Sequence, residues 1–138
     1  MTKELNTIVS IVLPTYNRVS LLEKSVNSIL EQYYQYWELI IINNESTDYT
    51  EGFVRLLSKK DKRIRYYKVN KSLEGGISQY LNFGIHNSVG KYIARIDDDD
   101  TWSDRDKLKK QVDFLDANPE YVICGGGVIM IDSNGKEM

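Results

Sequence analysis

An α/β fold with a mostly parallel central sheet follows from three features of the sequence. Short apolar runs alternate with stretches of helical periodicity along the whole chain. The runs are too short and too rich in β-branched residues to be helices, and polar loop segments follow four of them. Strands and helices in strict alternation build right-handed βαβ units, which pack as one parallel sheet with helices against it. Ligands in such sheets sit beyond the carboxyl ends of the strands.

Taken in order, residues 8–13 predict a buried strand ended by Pro14, which cannot donate to a ladder. Ser20 and Glu23 have capping-box spacing, and Leu22, Val26, Ile29 and Leu30 then share one helix face. Residues 37–42 predict a second strand. Residues 50–58 predict a helix with Phe53, Leu56 and Leu57 inward, and residues 64–69 a third strand whose tyrosines suit a sheet. After a loop at 70–76 comes a helix to about residue 88, with Ile77, Leu81 and Ile85 at four-residue spacing. Residues 91–96 form the next strand. A helix over 103–117 carries Leu108, Val112 and Leu115 and stops at Asn118-Pro119. Residues 121–124 and 128–132 read as short strands, with a hairpin-type turn at 132–135.

The 138 residues suffice for a single domain with one core, without repeats or an evident linker. The net charge is −2, of which the four aspartates at 97–100 supply −4 and the remainder +2. That balance argues against nucleic acid as a partner, and the basic run 59–63 reads as a solvated helix end. The single Cys124 forms no internal disulfide and lies in an apolar run, as a structural thiol does. No signal peptide and no apolar stretch of membrane-spanning length is evident, so a cytoplasmic protein is expected.

Four polar segments, at 15–18, 43–48, 70–76 and 97–100, are expected to converge on one crevice. The last is the most telling. Two unit charges about 4 Å apart repel by roughly 4 kcal/mol at an effective dielectric near 20, so four carboxylates at a strand end call for a cation, a hydroxyl or a proton. Hard divalent ions favour oxygen ligands. On extended chain Asp97 and Asp99 point the same way, toward one cation, and Asp98 the other way, toward a sugar hydroxyl. Asp100 or Asp104 could instead cap the next helix. Tyr16 offers a ring to stack on a nucleobase, and Asn44 or Asn43 an amide to read a base edge. Ser46, Thr47 and Asp48 suit an N-cap. Glycine-rich phosphate loops are missing from the sequence, Gly125-Gly126-Gly127 reads as a bend or bulge, and His86, the one histidine, reads as exposed.

Together, Val9-Ser-Ile-Val-Leu-Pro-Thr-Tyr-Asn-Arg18, Ser28-Ile-Leu-Glu-Gln32, Glu38-Leu-Ile-Ile-Ile-Asn-Asn-Glu-Ser-Thr-Asp48, Gly75-Gly-Ile-Ser78, Leu81-Asn-Phe-Gly-Ile85, Gly90-Lys-Tyr-Ile-Ala-Arg-Ile-Asp-Asp-Asp-Asp100 and Lys107-Leu-Lys-Lys-Gln-Val-Asp-Phe-Leu115 resemble family 2 glycosyltransferases of the GT-A fold. The resemblance implies a Rossmann-like αβα sandwich, incomplete at its C-terminus, as the N-terminal part of a longer enzyme. It implies inverting transfer of a sugar from a UDP-, dTDP- or GDP-sugar to a glycan or lipid-linked acceptor, with Mg²⁺ or Mn²⁺ at an Asp-x-Asp motif. By position, Asp99 and Asp97 match the metal motif. Pro14, Thr15, Tyr16, Asn44, Asp97 and Asp98 match the nucleotide-sugar site. The catalytic base is expected beyond residue 138, and the full protein in the cytoplasm or peripherally at the inner face of the plasma membrane. Where the family carries Asp-Asp-Gly-Ser-Thr-Asp, this chain reads Asn43-Asn-Glu-Ser-Thr-Asp48, so Asn44 accepts from a base without a charge.

Two other readings compete. Asp97-x-Asp99-x-Thr101 satisfies the nucleophile loop of haloacid-dehalogenase-type phosphohydrolases, in which the first aspartate attacks phosphorus. In a third reading, the segment binds a nucleotide sugar without catalysis.

Overall fold

The computed structural model describes residues 7–70 and 76–138. Its elements run β1 (Val9–Thr15), α1 (Val19–Leu30), β2 (Trp37–Asn43), α2 (Thr50–Lys60), β3 (Ile64–Lys68), α3 (Ile77–His86), β4 (Tyr92–Arg95) and α4 (Lys107–Ala117). The sheet order is β3-β2-β1-β4 and every pairing is parallel.

β1 and β2 are buried along their whole length, as strands covered on both faces must be. Alternation then sorts their side chains into two cores. Val9, Ile11, Leu13, Trp37, Leu39 and Ile41 meet Leu22, Val26 and Ile29 of α1, Val54 of α2, and Leu108 and Val112 of α4. On the opposite face Val12, Ile40 and Ile42 meet Tyr80 of α3. The result is the expected αβα sandwich. Each fully buried aliphatic side chain contributes roughly 1.5–3 kcal/mol, so the two central strands dominate the stability.

Several expectations are corrected. Pro14 lies inside β1, paired in register with Ile42, instead of ending it. Ile8 and Val12 direct their carbonyls to β4, which ends at Arg95, so the missing N–H of Pro14 falls on the side where no ladder continues. The Ser20–Glu23 capping box does not form; Val19 N–H donates instead to Asp48 Oδ2 at 3.1 Å. In α2 the buried residues are Thr50 and Val54; Phe53 and Leu57 pack partly buried against the core as expected, but Leu56 is exposed. In α3, Ile77 and Ile85 are exposed while Tyr80 and Gly84 are buried. A Cβ on Gly84 would come within 2.8 Å of Ile42 Cδ1 and closer still to Val12 Cγ1, so the glycine is what lets α3 lie down on the sheet. The last helix starts at Lys107 rather than 103.

Residues 121–124 and 128–132 are not strands. One antiparallel bridge, Ile131 with Glu137, closes the predicted turn, where Gly135 takes φ 80°. Val122, Ile123, Val128 and Met130 are exposed, and beyond that bridge the segment joins no strand of the sheet among the described residues. Cys124 is half-buried, with Sγ 3.9 Å from the Gln111 carbonyl, and His86 is exposed at the end of α3.

At the other end of the sheet Glu38, 5% exposed, accepts from Ser10 Oγ at 2.6 Å, Arg65 Nη1 at 2.8 Å and Val89 N–H at 2.9 Å. Burial pushes this carboxyl up, but the three donors outweigh it and hold it below its ordinary value of 4.5. A depressed carboxyl stabilises the fold above its ordinary value, and that stability is lost as pH falls through the folded value. Glu38→Gln is therefore expected to lower urea stability at pH 7 by about 1–3 kcal/mol and to flatten the decline of stability below pH 4.5.

Candidate functional site

The loops after β1 and β2 are laced together. Asn17, in the left-handed region at φ 51°, accepts from Thr47 N–H at 2.7 Å, and its own N–H donates to Ser46 Oγ at 2.9 Å. Asp48 receives Val19 N–H on one oxygen and Thr50 N–H, at 3.0 Å, on the other, so it ties the starts of α1 and α2 together. Asn tolerates the left-handed region; Glu45, at φ 50°, does so at a cost of roughly 1–2 kcal/mol. Strain of this kind persists only where the surroundings impose it.

Asn43 is fully buried. It donates to Tyr66 Oη at 3.0 Å and accepts from Ser46 N–H at 2.9 Å, which makes it a strut of the loop. Asn44 is the asparagine that lines the cavity, and Tyr80 Oη donates to its Oδ1 at 2.8 Å.

The acidic segment is not extended. Asp100 N–H donates to the Asp97 carbonyl at 3.2 Å, closing a turn that breaks the alternation expected of a strand. Asp97 and Asp99 take different cationic partners within this turn. Asp97 pairs with Arg95 at 3.0 Å. Asp98, 6% exposed, accepts from Thr15 Oγ1 at 2.9 Å and from Tyr16 N–H at 3.4 Å. Arg18 Nη1 then bridges Asp98 Oδ1 at 3.2 Å and Asp99 Oδ2 at 2.8 Å. It is the neighbours 98 and 99 that share a cation, and the charge of Asp98 raises the pKa of Arg18 above its ordinary range. Partial desolvation, with Asp99 and Asp97 adding to it, pushes Asp100 up.

Helix α1 buttresses this turn from inside. Ser25 Oγ donates to the Asp100 carbonyl at 2.5 Å, Ser28 Oγ accepts from Trp102 N–H at 3.0 Å, and Gln32 Nε2 donates to the Asp104 carbonyl at 2.8 Å. Of the two candidate caps, Asp104 accepts from Asp106 N–H at 2.9 Å in the turn before α4; the α4 cap residue is Asp106, without a side-chain bond.

Beyond the carboxyl ends of β1 and β2 lies a cavity of about 530 Å³ lined by Pro14, Thr15, Tyr16, Arg18, Asn44, Gly76, Ile77, Tyr80 and Asp98. The four polar segments do meet here, although residues 71–75 of the third lie outside the described residues. Asp99 reaches the cavity wall through Arg18, whereas Asp97 is turned to Arg95. Ile77 and Tyr80 were not expected, and Arg18 was expected only as part of the 15–18 segment, without a role of its own. Arg18 had its signal in the sequence, as the one cation immediately after the first strand loop; Tyr80 had none, because its role depends on a helix packing across the sheet. Among the described residues no three Asp, Glu, His or Cys side chains gather into a closed metal cage.

Residues 10–137 match the sequence profile of Glycosyl transferase family 2. An uncharacterized glycosyltransferase of Rickettsia bellii is 38% identical over 128 residues, covering 93% of this chain and 18% of that protein. The putative teichuronic acid biosynthesis glycosyltransferase TuaG of Bacillus subtilis is 33% identical over 108 residues, covering 78% of this chain and 42% of its own length. The chain thus spans between about a fifth and a half of the relatives it matches. Among solved structures, S. aureus TarS 1-349 superposes with a TM-score of 0.73 at 22% identity, covering 82% of this chain and 33% of that one, which supports the fold. The mannosyltransferase PcManGT of Pyrobaculum calidifontis, in complex with GDP-Man and Mn²⁺, gives 0.67 at 28% identity, covering 78% and 32%. The dehalogenase-type reading loses its footing, since the acidic segment follows β4 rather than the first strand. The two-core sandwich, the loops gathered at one sheet end and the near full-length profile match agree: this chain belongs to glycosyl transferase family 2.

Proposed function

We propose that the cavity binds a nucleoside diphosphate sugar and that the protein transfers the sugar, with inversion, to a hydroxyl of a glycan or lipid-linked acceptor. The observation that supports this reading most is a cavity lined together by Tyr16, Asn44, Asp98 and Arg18, with Arg18 bridging Asp98 to Asp99. Tyr16 is the ring proposed to stack on the base, Asn44 the base-edge partner, and Pro14 and Thr15 the floor on which the nucleoside lies. Asp98 already holds Thr15 and Tyr16, which fixes that floor, and its position suits a sugar hydroxyl.

The donor set fits Mg²⁺ or Mn²⁺ held by one or two carboxylates, water and the diphosphate rather than by a protein cage. Asp99 is half-exposed and already pairs with a cation, so it is the proposed ligand. Asp97 could join it only by giving up Arg95. When bound, such an ion supplies positive charge to the departing diphosphate. Arg18 adds a fixed cation at the same wall. The general base that takes the acceptor proton is proposed in the part of the longer relatives that this chain does not span. Binding without turnover remains the reading for the cavity by itself, since the acceptor side is not among its lining residues.

Calorimetric titration of UDP, dTDP, GDP and CDP with and without Mn²⁺ tests the proposal. One or two of them are expected to bind at least about tenfold more tightly with the ion. Equal binding in EDTA would remove the metal from the site, and binding of none would remove the nucleotide.

A further inference from the structure

Tyr80 does more than fill the core. Its ring, 8% exposed, packs with Val12, Ile40 and Ile42, while its hydroxyl reaches the cavity wall and meets Asn44. An amide alone has no fixed sense, because a half-turn about its last torsion exchanges the acceptor oxygen and the donor nitrogen. A phenol can accept from an amide, as Tyr66 Oη does from Asn43, but here the Tyr80 hydroxyl is the donor, to Asn44 Oδ1 at 2.8 Å. Among the described residues the only acceptor for Tyr80 is Asn44 Oδ1. If the amide turned over, that hydroxyl would be left without one. The oxygen is therefore held toward Tyr80, with a second lone pair to offer, and Nδ2 has no partner among the described residues.

Resting on the nucleotide reading above, we infer that Tyr80 determines base specificity by locking the Asn44 amide in one sense. A locked amide presents an acceptor beside a donor. That pair complements a base edge on which a ring N–H adjoins a carbonyl, as in uracil, thymine and guanine. It opposes an edge on which a bare ring nitrogen adjoins an amino group, as in cytosine and adenine. A freely turning amide would take either, and a carboxylate would offer acceptors alone. Tyr80 thus acts through Asn44 as a positioning residue.

Dissociation constants of the full-length protein for UDP, CDP, GDP and ADP in Mn²⁺ test this. The wild type is expected to favour UDP over CDP, or GDP over ADP, by at least about tenfold. Tyr80→Phe, which keeps the ring, is expected to bring that ratio below about threefold without lowering the thermal midpoint appreciably. Asn44→Ala should bring the ratio equally low, and Tyr80→Phe should add nothing to it, the mark of two residues acting as a unit. A ratio unchanged in either single variant, or a wild type that favours CDP or ADP, overturns the role of Tyr80. Binding of no diphosphate at all overturns the nucleotide reading itself.

Discussion

Asp99→Ala is expected to cost at least about 100-fold in sugar transfer and to abolish the Mn²⁺ dependence of nucleotide binding. The side chain is about half exposed and its one partner among the described residues is Arg18, itself half exposed. An ion pair that open to water is worth about 0–1 kcal/mol, so the fold should be unaffected. The loss would then be read as lost charge at the diphosphate, because Arg18 alone cannot replace a divalent ion. Asp97→Ala gives the contrast: it breaks the exposed pair with Arg95 and is expected to cost less than about tenfold. Mn²⁺ titration in the presence of the preferred diphosphate measures both. Unaltered metal dependence in Asp99→Ala would refute the assignment, and a larger loss in Asp97→Ala would move the ligand to that residue.

Gly84→Val is expected to lower the thermal midpoint by about 10 °C, equivalent to roughly 3 kcal/mol. On an exposed helix face, replacing glycine by alanine stabilises by about 1 kcal/mol. Here the added atom meets Val12 and Ile42 of the two central strands, neither of which can retreat through a packed sheet. Even Gly84→Ala is therefore expected to destabilise, by about 1–3 kcal/mol. Because α3 carries Tyr80 to Asn44, a partly tolerated variant should also weaken nucleotide binding. A neutral or stabilising Gly84→Ala, measured by urea or thermal unfolding, would contradict this account of the α3 contact.

Much of the architecture was written in local pattern. The apolar runs of β1 and β2 are continuous because parallel strands are buried on both faces, and no other element reads that way in so few residues. Alternation with helices then left one topology class, and the polar segments had to gather where the strands end. Periodicity failed where burial did not follow hydrophobicity. It selected Ile77 and Ile85 for α3, whereas the sheet took Tyr80 and Gly84, a polar-tipped ring and a residue with no side chain. It made strands of residues 121–124 and 128–132, where the described residues form only the isolated bridge of Ile131 with Glu137.

By itself, then, the amino-acid order determined the three-layer α/β class and the sheet end at which the polar loops and the cavity lie. Those follow from spacing along the chain, which is a local property, whereas the family was carried by the resemblance of a whole ordered set of motifs. Only the tertiary structure decided which carboxylates share a cation and what holds the amide in the cavity wall. The turn at 97–100 replaces an i, i+2 pair by the neighbours Asp98 and Asp99, because Arg18 arrives from another strand end. Tyr80 meets Asn44 across 36 residues of sequence. Contacts of that kind are settled by how helices seat on a sheet, and no window of sequence contains them.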